Sequence, residues 1–106
     1  MHFGLTDEQS AFQTSFARFI DETIVPRGAQ VDRDGVFPAQ NNKDLAGFGY
    51  QALGMPEEYG GTPVDPITRW IAQEELARGC ASTFLSCGAS AGLFGVPVRE
   101  FASAEM

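Results

Sequence analysis

Few residues in this chain of 106 could act directly on a substrate. The one histidine, His2, lies close to the start and is expected to be solvated. No serine has a histidine partner, so a hydrolase triad is excluded within this chain. Cys80 and Cys87 do not form a C-x-x-C pair. On a helix their spacing sets both thiols on one face about 10 Å apart, too far for a disulfide. With His2 as the only imidazole they assemble no zinc site. Both are expected to be reduced packing residues, as suits a cytoplasmic protein. Glu74 and Glu75 are neighbours pointing about 100° apart on a helix, so they cannot share a substrate as a carboxylate pair. Gly60-Gly61 accompanies no G-x-G-x-x-G or P-loop pattern and reads as a tight turn.

Two spacings ask for more. Gly88 and Gly92 stand at i, i+4 in line with Phe84. Each interior glycine costs a helix about 1 kcal/mol against alanine, so a helix that takes this twice on one face needs space there. The space could admit another backbone in close packing, or a ligand lying along the helix; composition leaves both open. Glu74 and Arg78 also stand at i, i+4, in the favourable order. They continue the stripe that Ile67, Trp70 and Ile71 begin. They read as an ion pair fixing the helix end, with a polar contact to another domain or a ligand as the alternative.

The elements that must position these residues are helical. Thr6-Asp7-Glu8-Gln9 reads as a capping box, opening a helix from Asp7 to about Val25 along Phe12, Phe16, Phe19, Ile20 and Ile24. Pro26 should end or kink it, with a short second helix over Arg27 to Asp32. Asp34-Gly35 marks a turn, and Pro38 opens a third helix over Ala39 to Phe48. Gly54 to Pro66 is glycine- and proline-rich and reads as a loop. Asp65 caps a fourth helix with Pro66 at its first position, and Gly79 terminates it after Arg78. A fifth helix runs from Ala81 or Ser82 to about Gly95, and Val96-Pro97 opens a sixth that continues to the last residue. No strand alternation, repeat or low-complexity tract is visible. The fold class is therefore all-α, a helical bundle of about five to six helices in one domain, 1–106.

A net charge of −7 argues against a nucleic-acid module, which needs a basic patch, and against docking on an anionic membrane. Nine phenylalanines point to a folded core rather than disorder. Met1 to Leu5 has no signal-peptide pattern. Gly79 to Val98 carries no charge and is long enough to cross a bilayer. Its glycines, serines and Pro97 favour a buried helix over a membrane span.

Several segments, in order, resemble the start of an acyl-CoA dehydrogenase. Leu5-Thr6-Asp7-Glu8-Gln9 resembles the family's opening helix cap. Ile24-Val25-Pro26-Arg27 and Asp32-Arg33-Asp34-Gly35-Val36-Phe37-Pro38 resemble its "I-x-P-R … D-R-x-G-x-F-P" stretch. Met55-Pro56-Glu57-Glu58-Tyr59-Gly60-Gly61 is similar to its "P-E-E-Y-G-G" loop, and Glu74-Glu75-Leu76-Ala77-Arg78 to its "E-E-L-A-R" helix end. Gln40-Asn41-Asn42 departs by being more polar than usual. The resemblance implies the N-terminal helical domain of a three-domain enzyme, truncated here, with the β-domain and the C-terminal helical domain absent.

It implies FAD, bound mainly by those other domains, and α,β-dehydrogenation of an acyl-CoA or acyl-carrier-protein thioester. A glutamate of the C-terminal domain would take the α-proton, so no catalytic residue and no cofactor-binding residue falls in this chain. An electron-transfer acceptor and a homodimer or homotetramer are further implied partners. The helix matching Ser82 to Gly92 would supply part of the acyl-pocket floor, with Phe84, Cys87, Gly88, Ala91 and Gly92 as substrate-binding residues. Other readings are a flavin monooxygenase or nitroalkane-oxidase relative on the same fold, and a non-catalytic helical interaction module.

Overall fold

The computed structural model describes residues 4–105, with Ala91 seen through its backbone alone; His2 lies outside the described residues. Helix α1 spans Asp7–Phe19 and α2 Val25–Asp34. They are one continuous helix, joined by a π-helical turn over Ile20–Ile24. Helix α3 spans Ala39–Phe48 and α4 Pro66–Gly79. Helices α5, Ala81–Gly88, and α6, Val96–Phe101, are likewise joined by a π segment over Ala89–Gly95. Four continuous helices therefore replace the five to six expected, and the all-α class holds. Among the described residues the single strand-like pairing is a parallel bridge between Leu53 and Thr62.

The sequence places breaks at Pro26 and Pro97, and the structure carries the helix through both. A proline lacks an N–H and crowds the carbonyl four residues back. A π turn widens the helix by one residue ahead of the ring. Val25 N–H accordingly reaches back five residues, to the Ile20 carbonyl. Both π segments end directly before a Val-Pro pair. Helix α6 also stops sooner than expected, at Phe101, where Ala102 turns extended (ψ 159°).

The local caps form as the sequence dictates. Thr6 Oγ1 accepts from Gln9 N–H, and Gln9 Oε1 accepts from Thr6 N–H. Gln9 Nε2 also donates to Asp65 Oδ1 at 3.1 Å, tying the start of α1 to the cap of α4. Asp65 accepts from Thr68 N–H at 2.8 Å and from its hydroxyl at 2.9 Å. These Thr68 bonds, with Gln9 adding a smaller share, hold the Asp65 carboxyl below its ordinary 3.8. A depressed carboxyl lends stability above its unfolded pKa and loses it as pH falls through the folded value. Asp65→Asn keeps an oxygen for the cap without the titration. Its urea midpoint should lie below that of the natural chain at pH 6, and the gap should narrow as pH falls below 3.8 through the folded value.

Helix α4 lies between α1 and α5. The core is Phe16, Ile20, Ile24, Leu45, Tyr50, Ala72, Leu76, Cys80 and Cys87. On α4 the buried stripe is Thr68, Ile71, Ala72 and Leu76. Of the stripe expected from sequence only Ile71 is inside; Ile67 is 38% and Trp70 61% exposed. Gly79 ends α4 as expected but for another reason. It has no positive φ; instead a Cβ there would overlap Ile20 Cγ2. Gly28 meets the Gly79 carbonyl at the same crossing. Two glycines thus let the first long helix press against the end of α4.

Arg78 pairs with Glu75 at 2.8 Å and with Asp21 of the first π turn at 2.9 Å, in place of the expected Glu74. The reason is the neighbour: the α1–α2 helix flanks the Glu75 side, so that choice lets one guanidinium bridge two helices. Asn41 and Asn42, for which the sequence suggested no role, belong to a polar ladder between helices. Arg27 donates to Asn41 Oδ1 (3.0 Å) and pairs with Asp44 (2.6 Å). Asn41 donates to Thr83 Oγ1 (3.0 Å), and Thr83 donates to Cys80 Sγ (3.1 Å). Asn42 Oδ1 accepts from Cys87 Sγ at 3.2 Å and from Gln51 Nε2. Asn41 and Thr83 are fully enclosed, where an unpaired polar group would be costly.

Candidate functional site

The five residues expected to bind substrate stand in different surroundings along the α5–π–α6 helix. Cys87 is 1% exposed and packs in the core; burial pushes its thiol up from the ordinary 9.0. Phe84 is half-buried against that core. Gly88, half-buried, borders a recess beside Tyr50 and Ala72, and Gly92 is exposed. Nothing lies within 4 Å of where a Cβ would stand on either, so neither makes room for another backbone of this chain. Ala91 lies in the π segment between them, its side chain outside the description. Leu85 (70%), Leu93 (81%) and Phe94 (68%) extend an exposed apolar surface along the same helix.

The continuous helix Ala81–Phe101 was expected to be buried. Its most apolar stretch is only 12% buried, and by length and composition alone it could cross a membrane. The one-sided burial of Thr83 and Cys87 fixes it to the bundle, and its outer face is left open.

Two hollows flank this helix. One is a narrow recess of about 20 Å³ beside Gly88, lined by Tyr50, Leu53, Arg69, Ala72 and Gln73. Tyr50 reaches it from a 3-10 turn, Tyr50–Ala52, that follows the left-handed Gly49 (φ 99°). The Tyr50 ring stacks on Phe16 at 5.9 Å, and its hydroxyl is pushed up to about 12, chiefly by burial. The other is a wider cleft of about 530 Å³ between the Met55–Tyr59 segment and α6, with Phe94, Val98 and Arg99 opposite. Arg99 Nη1 closes its floor by donating to the Gly54 carbonyl at 2.8 Å.

A dinucleotide cofactor needs free backbone N–H groups or basic side chains to cradle its phosphates. The glycine pair does not supply them. Gly60 N–H is taken by the Glu57 carbonyl (2.9 Å) and Gly61 N–H by the Pro56 carbonyl (3.0 Å). Glu57 and Glu58 add negative charge beside them. This turn therefore does not fit the phosphates of FAD. The arrangement is a wall with an apolar, small-residue face, and among the described residues no group is poised to move a proton to or from a substrate. Tyr50, Arg69 and Gln73 were missed in the sequence. Only the fold brings them to Gly88, and no spacing signals it.

Residues 6–106 match the family described as the acyl-CoA dehydrogenase N-terminal domain. The chain is 36% identical, over 105 residues, to a probable acyl-CoA dehydrogenase, YngJ, of Bacillus subtilis. That match takes in 99% of this chain and 28% of the relative. It is 39% identical over 87 residues to the human mitochondrial short-chain specific acyl-CoA dehydrogenase, taking in 82% of this chain and 21% of that one. A solved structure described as the electron-transferring flavoprotein of Acidaminococcus fermentans superposes with a TM-score of 0.90 and 26% identity. It covers 99% of this chain and 28% of that one. The chain thus spans about a quarter of the length of such relatives. A family match over nearly every residue, carried by an all-helical fold that superposes this closely, establishes that the chain belongs to the acyl-CoA dehydrogenase N-terminal domain family.

Proposed function

We propose that this chain is the pocket-covering domain of an FAD-dependent acyl-CoA dehydrogenase, which removes the α and β hydrogens of an acyl thioester. FAD and the catalytic base would be supplied by a β-domain and a C-terminal helical domain beyond these residues. The chain's own part is to wall off the acyl chain with the outer face of α5 and the π segment. The observation that carries this reading is the empty space over Gly88 and Gly92. Two glycines in one helix cost about 2 kcal/mol of helix propensity, and no packing inside the domain uses the room they leave.

A π segment at that place supports the same reading, since such turns cluster where a helix meets a ligand. The exposed Leu85, Leu93, Phe94 and Trp70 form the kind of surface that a further domain of the same protein would cover. An electron-transfer acceptor and a thioester substrate are the partners this activity requires, in a homo-oligomer. The two free thiols support a reducing, cytoplasmic setting.

The test is an anaerobic titration of the intact protein that carries this domain. A flavin absorption band that bleaches on addition of a saturated acyl-CoA is the expected result. A purified protein without flavin, or a flavin indifferent to acyl-CoA thioesters of any length, would remove the proposal.

A further inference from the structure

The recess beside Gly88 is lined by three polar side chains without hydrogen-bond partners among the described residues. Tyr50 is 6% exposed, yet its hydroxyl takes part in no hydrogen bond among the described residues, and no side-chain polar atom there is sealed off without a partner. The hydroxyl therefore opens on the recess that Tyr50 lines. Arg69, on α4, projects to the same place. Its stem lies against Gly54, where a Cβ would overlap Arg69 Cδ. Arg27, Arg78 and Arg99 each have a carboxylate partner; Arg69 has none among the described residues. One turn further along α4, Gln73 adds an amide, also without a bond of its own among those residues. The positive charge of Arg69 acts on Tyr50 across this space, partly offsetting the effect of burial on its hydroxyl.

A phenol O–H, a guanidinium and an amide N–H are all donors, and one of them is cationic. Converging on a small space, they match an anionic oxygen group, and a guanidinium suits a planar carboxylate best. A recess of about 20 Å³ admits an end group and not a chain. The open side at Gly88 connects it to the face assigned above to the acyl chain.

We propose that this recess binds a carboxylate at the far end of the acyl chain, held by Arg69, Tyr50 and Gln73, so that the preferred substrate is the monothioester of a dicarboxylic acid. This rests on the pocket-covering role proposed above. Gly88 then has a definite purpose: a side chain at that position would stand between the acyl chain and the three donors.

The test compares glutaryl-CoA with pentanoyl-CoA, which match in acyl carbon number, as ligands of the intact flavin-loaded protein. Dissociation constants are measured by calorimetry alongside flavin bleaching. Glutaryl-CoA should bind about tenfold or more tightly than pentanoyl-CoA, the size expected for hydrogen bonds to a charged group. Arg69→Met, which keeps the stem against Gly54, should bring that ratio to about one. Tyr50→Phe should reduce it part of the way. If pentanoyl-CoA binds and bleaches the flavin as well as glutaryl-CoA does, the carboxylate site is overturned while the dehydrogenase reading stands. The same holds if Arg69→Met leaves the ratio unchanged. If neither thioester binds, the pocket-covering role fails and the recess proposal falls with it.

Discussion

Replacing Phe16 with alanine is expected to destabilise the domain by about 3–5 kcal/mol, the usual cost of emptying a buried aromatic site. Phe16 is fully enclosed and sits at the centre of an aromatic cluster. Its ring is 5.6 Å from Phe12, 6.0 Å from Phe19, 5.0 Å from Phe48 and 5.9 Å from Tyr50. These rings come from α1, the end of α3 and the 3-10 turn that follows it, so the cavity would open where three elements meet. None of them can close it alone, because α1 is also held to α4 by the Gln9–Asp65 bond. A domain of this size buries only a modest share of its surface and has little stability to spare. In urea unfolding the Phe16→Ala chain should show little or no native baseline, whereas Phe16→Leu should retain a cooperative transition.

The second large effect falls on Gly61→Ala. An added Cβ would overlap the carbonyl oxygen, the carbonyl carbon and the Cβ of Met55 together. Backbone cannot retreat as the end of a flexible side chain can. Overpacking of this kind costs about 1–3 kcal/mol or more. The segment it would push apart is fastened from both sides: Gly61 N–H bonds to the Pro56 carbonyl, Gly54 N–H donates to the Thr62 carbonyl, and Thr62 N–H donates to the Ala52 carbonyl across the Leu53–Thr62 bridge. Gly60, by contrast, is left-handed at φ 85° with open space around it. Gly60→Asn should therefore be far milder than Gly61→Ala, since asparagine tolerates that conformation. Melting temperatures of the two variants check this: the two neighbouring glycines should differ by several degrees.

What could be read from the sequence was mostly what neighbours along the chain decide. The Thr6–Gln9 capping box, the Asp65-Pro66 start of α4 and the Asp34-Gly35 turn all depend on residues three or four apart, and each stands where it was expected. The family was legible for a similar reason, since several short matches in the right order leave few alternatives. Features decided by distant neighbours were not legible. Whether Pro26 breaks a helix or is absorbed by a π turn depends on how firmly Ile20 and Ile24 are packed on either side of the widened turn. Both are fully buried, and burial keeps the two halves collinear enough to remain one helix. The partner of Arg78 turned on where Asp21 stands, and the enclosure of Asn41 on where Thr83 stands.

Ile67 and Trp70 form an apolar stripe with Ile71, and apolar residues at helical spacing normally face a core. Here the helix has buried sides toward both α1 and α5 and an apolar side that meets nothing in this domain. The same holds for Leu85, Leu93 and Phe94. A sequence rule that assumes every apolar stripe faces the core cannot tell a residue enclosed in it from one left on an outer face. Of the candidate site, the spacing of its small residues was legible and their surroundings were not. The glycine spacing signalled a need for space, but only the fold shows open space over Gly88 and Gly92 where Cys87 is enclosed.

The most direct test of the central claim is Gly92→Phe in the intact flavin-loaded protein, measured as dissociation constants for a series of acyl-CoA thioesters of increasing length. Nothing within the domain stands near this glycine, so the melting temperature should hold or rise, since glycine is the poorest helix former after proline. If the outer face of α5 and the π segment is the wall of the acyl pocket, the longer thioesters should lose affinity by tenfold or more while the shortest still bind. Equal affinities across the series, with a normally folded variant, would mean that the acyl chain lies elsewhere and that the face serves only to meet another domain.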